Sequence, residues 1–361
     1  MAKIFEGGST VKHLKFVVMP FFLLILAACG SVTPTPELSP LGTTPAVYGG
    51  RAVALEAKAL LLSAKFADTG ALLNKGDALN ATLVTAAVPG ILNAGVLHAA
   101  TVGQGDRTLS EASVAGLELS VPGLSVKAAF IASEAATVCD KSNKAAVSGS
   151  SELVGLSVNG KAVSVTGGVN QTINLLGIGK IVINEQSGTA SGNQGSKKVT
   201  ALHITTLVGV DVALASSEAA MTCQVVRPTY GDYVTGSGTI KTDCASSCGS
   251  FSLSAGYRNS KLWGGLTYID SAKNLTIRSA GITAYSAVNS TTRLVKGKAT
   301  VNGKSGFKFE VKVADNGKGT SDTFEIKVFD SANKLTYTAS GKLICGNVTL
   351  HKGPIPCTCT K

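Results

Sequence analysis

Eight cysteines and four histidines are the residues of this chain best equipped for chemistry. A thiolate is both a nucleophile and a soft metal ligand, and an imidazole changes charge near neutrality. Two of the cysteines stand in a repeated context. ASEAATVC ends at Cys139 and ASSEAAMTC ends at Cys223, each after an alternating run, LELSVPGLSVKAAFI in the first case and TALHITTLVGVDVAL in the second. Matching strands that end in cysteine at the same end are well placed for a bridge if they are neighbours, so a Cys139–Cys223 disulfide is expected. Five cysteines remain, Cys244, Cys248, Cys345, Cys357 and Cys359, and an odd number leaves one free or bonded to another molecule. Cys244-x-x-x-Cys248 and Cys357-x-Cys359, with His351, offer clustered sulfur that zinc or copper(I) would accept. The spacings are not those of a zinc ribbon, so disulfides of unassigned pairing are the stronger reading and no metal site is expected.

The other candidates for catalysis are scattered. His98, His203 and His351 lie in separate strand-like segments, and no G-x-S-x-G elbow presents a serine to any of them. His203 in ALHIT reads as a strand residue satisfied by its neighbours. Glu134 and Glu218 precede the two repeat cysteines at the same offset, and equivalent places in a repeat point to structure before an acid–base couple. Asp315, Asn316 and Asp322 could line a calcium loop, yet the spacing is not that of an EF-hand and a hairpin turn accounts for them. Gly177 and Gly179 lack the third glycine and the helix of a phosphate loop. No enzyme and no cofactor is expected from this inventory.

The elements that must carry these residues are strands. Phe307, Phe309, Val311 and Val313 alternate with Lys308, Glu310 and Lys312, and Phe324, Ile326 and Val328 alternate with Glu325 and Lys327. A period of two marks strands with one face in a core and the other in water. Asn159-Gly160 and Asn302-Gly303 sit between such runs and supply the positive φ angles of type I′ hairpin turns. The apolar parity of Leu343, Cys345, Val348 and Leu350 flips across Gly346-Asn347, which predicts a bulge there. Ala52–Leu62 and Ala71–Pro89 alone are rich enough in Ala and Leu to offer helix, and neither is assigned one. The fold class is therefore all-β, as two antiparallel sandwich- or barrel-like domains in tandem.

Charge separates the two domains. Residues 46–225 hold 12 basic and 12 acidic side chains, whereas residues 234–361 hold 17 and 7. Between them, residues 225–233 contain Pro228 and Gly231 and read as a linker. A domain of net charge +10 could engage an anionic envelope polymer, since clustered positive charge raises affinity and on-rate. Lys308, Lys312 and Lys327 also simply keep strand faces soluble, and Phe307, Phe309 and Phe324 point inward. They offer no base-stacking platform, and no nucleic-acid partner is expected.

The first residues are an address. Lys3, Lys12 and Lys15 precede Phe16–Leu26, an unbroken apolar run of eleven residues, too short to cross a bilayer core of about 30 Å as a helix. Leu26-Ala27-Ala28-Cys29-Gly30 follows at once and resembles the bacterial lipobox. That resemblance implies cleavage before Cys29, a diacylglycerol thioether and an acyl amide on that residue, and anchoring to a membrane by two or three acyl chains where one would be marginal. Export also favours disulfides over free thiols. Pro34, Pro36, Pro40 and Pro45 then hold the stretch to Ala46 semi-extended as a tether.

The resulting plan is a signal peptide at 1–28, a lipidated tether at 29–46, a first β domain at 47–224, the linker at 225–233, a basic β domain at 234–354 and a Cys-containing tail at 355–361. AVYGG, LSVNGKAV, IVINEQSG and VTALHIT, between about Ala46 and Cys223, resemble the bacterial choice-of-anchor P proteins. GSGTI, GGLTYID, ATVNG, FKFEVKVADNGKGTSDTFEI and GNVTLH, from about Val234 to Lys352, are similar to the small post-COAP β-domain that often follows them. The resemblance implies an envelope or secreted β protein with no catalytic residue to carry over, and the cysteine-rich end departs from it. The expectation is a lipid-anchored bacterial envelope protein, exposed outside the cytoplasm, with a structural, adhesive or surface-interaction role and a surface protein or anionic polymer as possible partner. Recognition of an anionic polymer or glycan by the basic domain is the alternative, and an envelope-polymer hydrolase is the third reading.

Overall fold

Val, Ile, Thr and aromatic residues at alternate positions, with Asn-Gly and Gly turns between them, favour strands joined by tight hairpins, and strands dominate the computed structural model. It describes residues 46–59, 62–224, 231–242, 248–317 and 319–353, with the backbone alone at Leu62 and Cys248. Cys29, Cys244, Cys357, Cys359, the leader, the tether before Ala46 and most of the linker lie outside the described residues. Apart from one 3₁₀ turn at Gly319–Ser321, every described element is a strand. The described elements within the two Ala/Leu-rich stretches are strands as well, and the alanines of the first are core residues of a sheet.

The first fifteen strands are β1 (Val47–Ala59), β2 (Leu62–Asp68), β3 (Ala78–Leu83), β4 (Ala86–Val88), β5 (Leu92–Ala94), β6 (Leu97–Gln104), β7 (Arg107–Val121), β8 (Leu124–Cys139), β9 (Ala145–Val154), β10 (Ser157–Val158), β11 (Lys161–Ala162), β12 (Gln171–Leu175), β13 (Gly179–Ser191), β14 (Gln194–Thr206) and β15 (Val210–Thr222). They build two antiparallel sheets. One runs β12-β13-β14-β15-β1-β2; the other is centred on β7 and β8 and takes in β3 to β6 and β9 to β11. Their inner faces share one core, in which Leu55, Val114, Ile131, Ile181, Leu202 and Leu214 are wholly buried. Burying each such side chain stabilises the fold by about 1.5–3 kcal/mol.

Each sheet carries a crease that simple alternation does not predict. Ala67, Asn184 and Ala215 have φ near +50° on β2, β13 and β15, opposite Ala54 and Ala201 on the strands between. A left-handed residue turns the following side chains to the other face. On β15 the buried positions are accordingly Val210, Val212 and Leu214 and then Ala215, Ser217, Ala219 and Met221. In the second sheet glycines take the same role: Gly116 and Gly155, with φ of 70° and 67°, flank Ala129 on β8.

The remaining strands are β16 (Tyr233–Lys241), β17 (Cys248–Arg258), β18 (Lys261–Asp270), β19 (Leu275–Ala287), β20 (Thr292–Val301), β21 (Lys304–Ala314), β22 (Thr323–Phe329) and β23 (Leu335–His351). Each pairs with the next and β23 returns to β16, so eight strands close an up-and-down barrel. A barrel of this size is filled by its own side chains. Phe251, Phe324 and Tyr268 stack in sequence, with Phe251 and Phe324 centroids 4.0 Å apart. Phe309 and Phe324 are buried and Phe307 packs against the same core, as the alternation requires.

Asn159-Gly160 and Asn302-Gly303 are tight turns with two consecutive positive φ angles. The expected bulge in β23 lies two residues earlier than Gly346, at Ile344, where β16 passes from Thr239↔Cys345 to Ile240↔Leu343. Gly346 itself stays in register opposite Gly238 and must be glycine, since a Cβ there would meet Gly238 Cα at 2.4 Å. The bulge turns Cys345 out of the barrel, against Val96, Ala115 and Phe130.

The sandwich and barrel belong to one compact unit. The outer face of the second sheet packs on the barrel wall through Val102, Leu109, Ala136 and Tyr233 and through the Cys345 cluster. Arg258 binds the Gly76 carbonyl and the Asp77 carboxylate, Thr267 Oγ1 donates to Thr82 Oγ1 at 3.1 Å, and Gln104 Nε2 donates to the Gly231 carbonyl at 3.1 Å.

Candidate functional site

The three histidines among the described residues fall in three different environments. His203 stands on the outer face of β14, where cross-strand geometry brings Glu185 from β13 and Asp211 from β15 to either side of it. Its Nδ1 lies 2.7 Å from Glu185 Oε2 and its Nε2 3.1 Å from Asp211 Oδ1. Both ring nitrogens are thus engaged, and the expectation of a strand histidine held by neighbours matches this geometry. Around it a concave recess of about 730 Å³ spans the creased sheet. Arg51, Lys58, Lys65 and Lys198 line it together with Glu56, Glu185, Asp211 and Glu218, so its lining charges balance.

His98 makes a connection that the sequence does not announce. Its Nδ1 is 2.7 Å from Ser252 Oγ on the barrel and its Nε2 is 3.3 Å from Glu111 Oε1 on the neighbouring strand. Serine, imidazole and carboxylate in a row resemble the order of a hydrolase triad. Here Ser252 is fully buried in mid-strand between barrel and sandwich. A nucleophile needs an approach for its substrate, and this hydroxyl faces the protein. The row ties two β bodies together. Ser252 is 154 residues from His98, a separation no motif records.

His351 is buried at the end of β23, stacked on Tyr233 at 4.2 Å, with Nε2 3.1 Å from Thr235 Oγ1. Burial, reinforced by the nearby positive charge of Arg107, pushes its pKa down to about 3. Neutral imidazole therefore prevails at ordinary pH.

Glu134 and Glu218 do not form a pair. Ser133 and Ser217 face each other inside the sandwich, so the next residue on each strand points to an opposite outer face. Glu134, Glu111 and Glu152 line a second recess of about 750 Å³ beside the barrel, with His98, Ser237, Thr320 and Asn347. Burial raises the Glu152 pKa, and one of its oxygens accepts the Gly346 N–H at 3.4 Å.

The Asp315–Asp322 turn uses its carboxylates on backbone. Asp322 accepts from Asn316 N and Val348 N, both at 2.8 Å, and Asp315 Oδ2 accepts from Leu350 N at 2.9 Å. With the Asp322 carbonyl on Leu343 N and Glu152 on Gly346 N, these acceptors run along the part of β23 that extends beyond β22. They stand in for a missing strand, which matches a structural turn. Burial raises the Asp322 pKa against those hydrogen bonds.

Cys139 and Cys223 are joined, their Cα atoms 5.6 Å apart. The bridged strands β8 and β15 face each other across the sandwich instead of pairing edge to edge. Cys345 is buried, with its Sγ 3.0 Å from Thr239 Oγ1. Among the described residues no group of three or more His, Cys, Asp or Glu side chains is placed to hold a metal ion.

A buried charge cluster was equally invisible in the sequence. Asp232, within the stretch read as linker, takes a bidentate pair from Arg293, with Nε and Nη2 each 2.8 Å from a carboxylate oxygen, and a hydrogen bond from the Tyr285 hydroxyl. Its three members come from the starts of β16 and β20 and the end of β19, and close one end of the barrel.

On the barrel's outer wall Lys296–Glu310 and Lys312–Glu325–Lys327 are paired ions. Lys298 and Lys308 stand directly opposite each other across β20 and β21. No protein family, curated protein or solved structure matches the chain.

Proposed function

We propose that the chain is a non-enzymatic protein of the bacterial cell envelope, lipid-anchored through Cys29 and exposed outside the cytoplasm, acting in surface structure or adhesion. The basic leader, the eleven-residue apolar run and LAACG support both the anchor and the envelope setting. The observation that carries the reading is where the tether meets the fold. Ala46 and Tyr48, where the described chain begins after the prolines, pack on Cys139 and Cys223, and Val47 pairs with Thr222. The point that would receive any pull from the membrane thus lies against a cross-link, and such a bridge persists in an oxidising compartment.

Intact mass of the protein from its native membrane, taken without reductant, tests this. A chain of Cys29 to Lys361 plus acyl groups, less two hydrogens per bridge, is expected, and Cys29→Ser should release the protein from the membrane. An unlipidated chain starting elsewhere, or thiols all reduced, overturns the anchor or the oxidised fold respectively. Cleavage of purified envelope polymers by the isolated protein would overturn the non-enzymatic role in favour of a hydrolase.

A second reading, recognition of an anionic envelope polymer or glycan by the barrel, is favoured by one observation. Nearly all of the excess positive charge belongs to residues 234–361, and Lys298 and Lys308 are left opposite each other there while neighbouring lysines are paired with acids.

A further inference from the structure

The outward rows of β20, β21 and β22 differ in how they are balanced. Lys296 faces Glu310, and Glu310 faces Lys327; Lys312 faces Glu325. The row Lys298–Lys308–Phe329 has two cations and an aromatic ring, with no acid among them. Like charges directly opposite on neighbouring strands destabilise a sheet. Among the described residues, no carboxylate lies within ion-pair distance of either ammonium group.

The two lysines border a recess of about 330 Å³. That size is at the lower end of small-molecule sites, which span about 300–1,000 Å³. Phe329 forms part of its wall, although the other large aromatics of this region face the barrel core. Asn333, at φ 60° in the turn after β22, accepts from Lys308 Nζ at 2.8 Å and so fixes that ammonium at the rim. The Asp330 carboxylate accepts the N–H groups of Ala332 and Lys334 at 2.9 Å each and holds this turn in place. Glu310, the acid in the recess, is neutralised by Lys296 at 2.5 Å.

We propose that this shelf binds an acidic sugar residue of a polysaccharide. The carboxylate or sulfate would lie between Lys298 and Lys308, the C–H face of the ring on Phe329, and a hydroxyl on the Asn333 amide. Each part matches one side chain: a point cation holds an anion without demanding a planar partner, and an aromatic face covers the apolar side of a sugar. The proposal rests on the second reading above, recognition of an anionic polymer by the barrel, and deepens it.

The test is binding of the full chain, in detergent, to dextran sulfate and polygalacturonate, with neutral dextran and sugar-free polyphosphate alongside, at fixed ionic strength. Lys298→Gln/Lys308→Gln should weaken acidic-polysaccharide binding by about tenfold or more, the scale of one lost charge-assisted contact. Phe329→Ala should weaken it severalfold for the polysaccharides and leave polyphosphate unchanged. Lys298→Glu separates folding from binding, because it places an acid opposite Lys308: Tm should rise while acidic-polysaccharide binding is lost. Retention of the wild type with no change in the lysine variants overturns the shelf and leaves the wider barrel reading standing. No retention of the wild type overturns both. Polyphosphate bound as tightly as the sugars, with Phe329→Ala silent, overturns the sugar and reduces the site to bare electrostatics.

Discussion

Ser133 Oγ and Ser217 Oγ lie 2.6 Å apart in the middle of the sandwich, and they are the same residue of two copies of one sequence pattern. The separation of 84 recurs at Cys139 and Cys223. Thr137 Oγ1 donates to the Ala219 carbonyl at 2.9 Å between these two contacts. The two copies of the pattern therefore meet each other across the core, small residue against small residue, and this allows two sheets to approach closely enough for hydroxyl contacts and a disulfide. Ala135 and Ala219 fill the space between, with Val199.

The disulfide is expected to contribute much of the stability of this end. Closing a loop of about 85 residues removes about 4–5 kcal/mol of unfolded-chain entropy in the simple chain model. The double variant Cys139→Ser/Cys223→Ser should lose stability on that scale in urea denaturation, and reductant should lower the wild-type Tm by more than it lowers the variant's, which keeps the other cysteines. Equal stability of the two proteins would show that the bridge closes no loop that matters.

The creases make opposite predictions for two small residues. Gly116 has φ 70° and nothing within 4 Å of where a Cβ would stand, so Gly116→Ala meets only the backbone penalty of a left-handed residue. It should cost about 1–2 kcal/mol. Ala67 already bears that strain at φ 49° and is only partly buried, so Ala67→Gly should relieve it and stabilise by about 1 kcal/mol less what the methyl contributes. Paired denaturation curves decide it, and a loss in both variants would mean that side-chain packing outweighs the backbone at the crease.

Strand type and the face of most barrel residues were legible because Phe307 to Val313 and Phe324 to Val328 obey a strict period of two. The crease was not, because Ala215 carries no mark of a left-handed conformation; the shift in buried parity from Leu214 to Ala215 is its trace in LASSEAAM. The bulge in β23 was legible through a parity flip, but its position was misplaced from Ile344 to Gly346, since glycine serves close approach as readily as irregular backbone. His203 reads from its own strand, with both partners on adjacent strands. The Ser252–His98–Glu111 row and the Asp232–Arg293 pair depend on how two β bodies meet and how a barrel closes, and neither fact has a local signature.

Ser252→Ala tests how firmly sandwich and barrel are joined. It removes the Nδ1 partner of a histidine that is 1% exposed and leaves a buried polar atom unsatisfied. The expected loss is about 1–3 kcal/mol. Chemical denaturation monitored through Trp263, which packs beside Tyr233 at this interface, reports it. An unchanged midpoint would mean that water replaces the serine and the contact is not dry.

His351 gives the acid limb of stability a definite sign. The unfolded imidazole takes a proton near 6.5, whereas burial keeps the folded one neutral down to about 3. Above pH 6.5 neither state binds that proton and its contribution is complete. Below it the unfolded chain binds one proton more, so stability should fall by up to about 1.4 kcal/mol per pH unit as pH drops towards 3. Asp322 and Glu152, whose pKa values burial raises, act in the other sense: their folded forms take up protons first, so their contribution grows as pH falls. His351→Phe keeps a ring on Tyr233 and removes the titration, at the expense of the Thr235 hydrogen bond, worth about 1 kcal/mol at every pH. Urea midpoints at about pH 7.5, 6 and 5 should show the wild type falling faster than the variant, so that the gap between them narrows with acid. A gap that stays constant would place the proton on His351 in the folded state and remove the neutral buried imidazole from the account.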